Sequence, residues 1–491
     1  MYSFTSRGFS LFIIFVMFRG STNTLDEFSL LYLKQLGYDA FYVGVMPLFG
    51  LVTQLIGVPV CSYLADKFQL RKFAFFLATL ISIPTIMMYG IPLAKSLPCK
   101  ERWKEENVAI YKQGNTMSVN RSLLSKGVVL SNFKSNKTTQ SNVSAVQSLS
   151  MFEDDKQNEN TKLKLWYYLI LCFVNGIYEL CRRMTVGLVT AAAIGHVKEK
   201  KYKYRLFEVM GAVGTGITLC VVSLIAGQFK YERCDEEQPS FFVSFPIAAA
   251  LQCFTLLGTL WLNFDYYEKP DNINYKEAIL ALLKPQHIFI LCIAFHVGAC
   301  NGFLTRWQYW FMDKLGASTT VLGVEGLLKR IMSLTFSYLA AGYVIRALGR
   351  DATMTLSLLL FAFAFAFLAL IKNPWLLILT DNIQYSAYTF FYIAVVLHFS
   401  NTESDALSVF FQGVITVAIN GVGKDIGSLF IGYSFKEYGI RKTLYGYSVI
   451  SLICFTVLAI FSLRKYKASK CKLTETENKC DDDIDEEMTW K

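Results

Sequence analysis

Charge is what this sequence has least of. Only 18% of its 491 residues are Asp, Glu, Lys or Arg, where a soluble domain carries about a quarter. Histidine is scarce, with four residues, and no CxxC pair or His/Cys cluster occurs, so no metal centre is expected. A phosphate-cradling GxxxxGK[ST] loop is missing, which disfavours ATP-driven work. No nucleophile–base constellation points to an enzyme, and no cofactor is expected. In place of charge the chain has 53% hydrophobic residues, with 40 Phe and 27 Tyr, a balance that favours lipid as solvent. The net charge of +10 does not require nucleic acid as a partner, because cytoplasmic loops of membrane proteins carry the same excess. Most of the 12 Cys lie in apolar runs, among them Cys172, Cys220, Cys292 and Cys454, where they read as small apolar side chains.

A bilayer core takes ~20 mostly apolar residues per helix. Twelve such stretches are predicted, near 9–33, 41–63, 73–94, 164–195, 207–228, 241–264, 286–311, 319–345, 352–371, 375–399, 406–433 and 443–463. Several carry charges that a strict hydropathy window rejects. The first also begins like a secretory signal peptide, with Ser10 to Phe18 after Arg7; the repeat described below requires a helix there instead. Residues 1–264 then form one six-helix half and 286–463 the other. Three pieces read as non-helical: the Ser/Asn/Lys/Thr-rich segment 95–163, a polar cytoplasmic linker at 265–285, and a disordered cytoplasmic tail at 464–491.

Basic residues crowd alternate loops: Lys67, Arg71 and Lys72; Lys198, Lys200, Lys201, Lys203 and Arg205; Arg346 and Arg350. The positive-inside rule makes that side cytoplasmic, with both termini. Segment 95–163 is then extracellular, and its three N-x-S/T sequons, Asn120, Asn136 and Asn142, can be glycosylated. Cys99 and Cys234 fall in outside loops, where a disulfide between them or two separate thiols are both open readings. Which cellular membrane holds the chain is not legible.

The halves resemble each other. Leu36-Gly37 is followed seven residues later by Gly44, and Leu315-Gly316 seven later by Gly323. Arg71 lies 27 residues after Gly44, and Arg350 27 after Gly323. Paired six-helix halves of this kind are a transporter architecture.

Within that frame SYLADKFQLRK resembles the cytoplasmic loop signature of the major facilitator superfamily, G-x3-D-[RK]-x-G-[RK]-[RK]. Ser62 stands for its first glycine and Gln69 for its second, while Asp66 and the basic cluster match. LYLKQLGYDAFYVGVMPLFG, YRLFEVMGAVGTGI, LGASTTVLGV, KNPWLLILTDNIQYSAYTFFYIA and GVGKDIGSLFIGYSFKEYGIRKT are together similar to the branch of major facilitator superfamily domain-containing protein six, grouped with sugar and nucleoside proton symporters such as lactose permease. The resemblance implies an all-α membrane protein of about twelve helices in two pseudo-symmetric bundles. It also implies a secondary carrier of a small polar solute, and it leaves the solute unnamed. Asp66, Lys67, Arg71, Lys72, Arg346 and Arg350 become candidate gating loops, with an ordinary loop salt bridge as the alternative. A transport-inactive receptor or scaffold on the same fold is the rival function, with protein partners unspecified.

An ionisable group in a membrane helix costs roughly 2.5–3.5 kcal/mol, so it faces a cavity or a partner. Arg19, Asp26 and Glu27 flank a polar run, Ser21 to Thr24, that could line a solute path through a locally broken first helix; Asp26 and Glu27 lying near the outer surface is the other reading. Glu179 and Arg183, and again Glu325 and Lys329, are i,i+4 pairs. Each reads as a protonatable switch or as a static ion pair, and proton coupling is expected through Glu179 or Glu325. Arg306, Asp381, Lys424 and Asp425 complete the candidate pathway, while His296 reads as a core histidine. Both signs occur in both halves, so neither a plain anion path nor a plain cation path is indicated.

Overall fold

The computed structural model describes residues 6–90, 165–190, 204–233, 236–261, 275–400 and 405–488. Asn120, Asn136, Asn142, Cys99 and Cys234 lie outside the described residues, as does the side chain of Asp66. Two compact units are distinguished, one of Met1–Ile91, Cys172–Glu232 and Glu237–Lys491, the other of Pro92–Leu171 with Arg233–Glu236. Apart from the short β-hairpin, which includes Arg233 and Glu236 of the second unit, the contacts described below lie within the first.

Twelve helical columns run through the described residues. In the first half they are α1 (Ser6–Gln35), α2 (Ala40–Val52, Thr53–Gly57, Val58–Lys67), α3 (Arg71–Tyr89), α4 (165–190), α5 (Tyr204–Gln228) and α6 (Phe241–Val243, Ser244–Gly258, Thr259–Trp261). In the second they are α7 (Pro285–Gly302, Phe303–Trp307, Gln308–Lys314), α8 (Thr319–Leu348), α9 (Arg350–Leu370), α10 (Pro374–Leu376, Leu377–Ser400), α11 (Asp405–Thr416, Val417–Gly423, Lys424–Glu437) and α12 (Ile440–Met488). Eight are long and apolar enough to cross a membrane by composition. The other four, α1, α4, α8 and α10, carry the charged residues Asp26, Glu179, Glu325 and Asp381 inside their spans.

Three local expectations are corrected. The linker is not wholly irregular, since Tyr275–Leu282 is helical. The tail read as disordered continues α12 to Met488, because nothing between Arg464 and Met488 breaks a helix: no Pro or Gly occurs there. The first helix is not broken at its polar run. Thr22 and Thr24 return their hydroxyls to the Phe18 and Gly20 carbonyls, and Ser21 bonds the Ala248 carbonyl of α6, so the hydroxyls are satisfied without opening the helix. A two-stranded sheet, β1 (Lys230–Arg233) with β2 (Glu236–Pro239), is the non-helical addition between α5 and α6.

Backbone dihedrals support the repeat. Gly37 and Gly316 both have positive φ, +85° and +77°, so the connectors α1–α2 and α7–α8 turn alike. At the other end of α2 and α8, Gly349 has φ +83° and Gln69 has φ +54°. Gln69 occupies the position where the loop signature has glycine, and it takes the left-handed conformation that only glycine adopts at low cost.

The halves meet closely at the end that holds the α1–α2 and α7–α8 connectors and the β-hairpin. There a Cβ on Gly44 of α2 would lie 2.8 Å from the Ser428 carbonyl oxygen of α11 and 3.2 Å from the Gly432 Cα. The pseudo-symmetric contact is α8 on α5, where a Cβ on Gly323 would lie 3.0 Å from the Ser223 Cβ. At the opposite, basic end, Val58–Lys67 packs on α3, and Asp405–Thr416 on α10 and the linker helix, all within their own halves. Val60, Tyr63 and Tyr343 are 52%, 63% and 77% exposed there.

Candidate functional site

Adjacent residues on a helix project about 100° apart, so Asp26 and Glu27 of α1 serve two different clusters. Asp26 faces α4 and α11. Arg182 Nη2 lies 2.6 Å from Glu179 Oε2 and its Nη1 3.4 Å from Asp26 Oδ2. Lys424 Nζ is 3.6 Å from the same Asp26 oxygen, Arg183 Nε is 3.4 Å from Glu179, and Arg306 Nη1 is 2.5 Å from Asp425 Oδ1. Arg183 also donates to the Asn420 carbonyl of α11 at 3.3 Å.

Glu27 faces α8. Lys329 Nζ is 3.2 Å from Glu27 Oε1 and 3.6 Å from Glu325 Oε1, and donates to the Leu304 carbonyl at 2.9 Å. Arg330 Nη2 reaches Glu27 at 3.2 Å, and Gln308 of α7 donates to Glu325 at 3.1 Å. Asp381 of α10 lies beside Glu325 and Gln308, yet neither of its oxygens meets hydrogen-bond geometry among the described residues, nor does Glu325 Oε2 or the Tyr385 hydroxyl.

Both clusters are buried. The side chains of Glu27 and Glu325 are 0% exposed and that of Lys329 1%. A cavity of about 20 Å³ adjoins the first cluster, between Asp26, Tyr89, Asn175, Tyr178, Glu179 and Arg306. It has room for a water molecule rather than a solute. Tyr89 donates to Asn175 in its wall, and Asn175 to the Met46 carbonyl.

Three columns change helical pitch around these groups. The segments Thr53–Gly57, Phe303–Trp307 and Val417–Gly423 are π-helical. The second carries Arg306, the third carries Asn420 and leads into Lys424 and Asp425, and Gln54 of the first lies 3.2 Å from a Cβ placed on Gly421 in the third. Such segments widen a helix locally and re-aim its side chains.

The predicted pathway residues are therefore brought together apart from Arg19. Arg19 sits half-buried about two turns from Asp26 toward the basic end, with its guanidinium 5.2 Å from the Phe15 ring centroid. Asp26 and Glu27 are interior and do not lie at the outer surface. His296 bonds Ser451 at 2.9 Å inside the second half, as a core histidine does. The basic loops stay within their own halves: Lys72 donates to the Leu260 carbonyl at 3.3 Å and Arg350 to the Leu397 carbonyl at 3.2 Å. Lys67 lies over Tyr63 and Phe68, and Arg346 and Arg71 sit at the same end.

Some site residues are not legible in the sequence as pathway groups, and Arg182 reads there as a static ion-pair partner. Arg182, three residues from Glu179, is its nearer partner, where i,i+4 spacing favoured Arg183. Gln308 and Asn420 carry no charge and gave no signal. Lys34 of α1 pairs with Asp313 of α7 across the closed end. These two stand three residues before Gly37 and Gly316, at matching places in the repeat, and that symmetry could have found them.

Comparison with known proteins agrees with this architecture. The profile of the MFS_1 like family matches residues 9–447. The crystal structure of the nucleoside transporter NupG superposes with a TM-score of 0.63 at 16% identity, covering 91% of this chain and 98% of that one. A POT family transporter in complex with a thioalcohol-conjugated peptide gives 0.60 at 10%, covering 93% and 96%. A D-xylose-proton symporter gives 0.53 at 12%, covering 92% and 96%. At these identities the likeness is one of fold.

Proposed function

The chain belongs to the MFS_1 like family, as an integral multi-pass membrane transporter and not an enzyme, and from that premise we propose that it is a secondary carrier of a small polar solute, coupled to protons and working by alternating access. One observation carries this reading. The two carboxylates of α1 hold cations from the other half of the molecule, Glu27 with Lys329 and Arg330 and Asp26 with Lys424. Ion pairs buried across an interface between two bundles must exchange partners when the bundles rock. They are costly to leave uncompensated, so solute or proton binding can bias which arrangement persists.

Alternating access also accounts for the packing. Close glycine contacts and the Lys34–Asp313 pair seal one end, and Tyr63 and Tyr343 are exposed at the other. With the basic end cytoplasmic by its charge, the sealed end is the extracellular one and both termini lie inside.

We infer that Glu325 and Asp381 take the coupled proton. Glu179 is held by two guanidiniums, whereas Glu325 Oε2 and both Asp381 oxygens lack hydrogen-bond partners among the described residues. Two neighbouring carboxyls with vacant oxygens are a place to hold a proton. The test is untargeted metabolite profiling of cells at two external pH values. Wild type is compared with Glu179→Gln and Glu325→Gln at matched surface level. A solute class that changes with wild type establishes transport, and loss of its pH dependence in Glu325→Gln alone places the coupling. No change in any medium favours the receptor or scaffold reading.

A further inference from the structure

The charges that alternate along the sequence are sorted by the fold into two groups of opposite net sign. Beside Asp26 stand Arg182, Arg183, Arg306 and Lys424 against Asp26, Glu179 and Asp425, four cations to three carboxylates. Beside Glu27 stand Lys329 and Arg330 against Glu27, Glu325 and Asp381, two cations to three carboxylates. Exposure differs within each group. Arg183 and Arg330 keep 18% and 13% of their side chains exposed, while Glu27 and Glu325 keep none, Asp425 3% and Glu179 8%. The one accessible carboxylate, Asp26 at 11%, already holds Arg182 and Lys424.

Arg183 and Arg330 are thus the most exposed cations of their groups, the others keeping 9% or less. These guanidiniums have donors to spare. Arg183 uses its Nε and Nη2, and no hydrogen bond from its Nη1 occurs among the described residues. Arg330 Nε is buried with no partner among them. A planar guanidinium with an open edge fits a carboxylate or a similar oxyanion better than a hydroxyl. An excess buried positive charge is also a standing cost that an anion removes.

Resting on the carrier reading, we infer that the solute is a small organic anion whose negative group docks on Arg183, in the cluster that is one negative charge short. The cluster at Glu27, one positive charge short, takes the proton that accompanies it, so the loaded site is electrically balanced.

The test uses the full-length protein purified in detergent. A small-molecule extract of the expressing cells is split by ion exchange into anionic, neutral and cationic fractions. Thermal stability is then read with each fraction for wild type, Arg183→Lys and Arg183→Gln. The anionic fraction is expected to raise the melting temperature of wild type and, less, of Arg183→Lys. Arg183→Gln should need roughly tenfold more of it, the loss of one hydrogen bond to a charged group. Stabilisation by the neutral or cationic fraction overturns the anion assignment and leaves the carrier reading standing. So does an anionic effect that is equal in Arg183→Gln. No stabilisation by any fraction counts against both.

Discussion

Lys329 is buried among several polar partners. It is 1% exposed, touches two carboxylates, and donates to the Leu304 main-chain carbonyl in the π-helical segment of α7. A lone ammonium would be expensive at this depth; with these partners it is compensated, and they in turn depend on it. Replacing Lys329 by Gln is expected to cost about 3–5 kcal/mol, because Glu27 and Glu325 lose their shared cation in a buried site. Adding Glu27→Gln to the same chain should recover a large part of that loss. Thermal denaturation of the purified variants measures both. If the double variant is no more stable than the single one, the Glu27 pair is not what the lysine supports.

At the scale of elements, the seal between the halves depends on missing side chains. Gly44 and Gly432 bring α2 and α11 within backbone contact, and a Cβ on Gly44 would sit inside the Ser428 carbonyl's van der Waals shell. Gly44→Val is therefore expected to pry this end apart and favour the opposite state, without unfolding either bundle. A cysteine pair at Lys34 and Asp313, which touch in the sealed state, reports it: cross-linking should fall several-fold when Gly44→Val is added. Undiminished cross-linking would mean that α2 and α11 do not control closure.

At the scale of the molecule, the two ends should differ in chemistry as well as in shape. Cysteines placed at Tyr63 and Tyr343 are expected to react with a membrane-impermeant maleimide, and a cysteine at Gly44 to resist it. If the basic end is cytoplasmic, labelling at Tyr63 and Tyr343 appears in intact cells only after permeabilisation. Labelling before permeabilisation would reverse the orientation.

The sequence by itself determined the class of the protein. Apolar length, the paired glycine connectors and the loop charges dictate many membrane-spanning helices in two like halves, because lipid admits few other backbone arrangements. It also marked nearly every buried charge, since an ionisable residue inside an apolar run is conspicuous. It could not say which charges meet. Spacing along one helix ranks i,i+4 partners, yet Asp26, Glu27, Lys424 and Lys329 find theirs on other helices, hundreds of residues away in the chain. Neither the π-helical segments nor the capture of the polar run's hydroxyls leaves a local signature. The tertiary structure alone decided that the charges divide into one cluster short of a negative charge and another short of a positive one. That division arises because two neighbouring residues of a single helix must point in different directions.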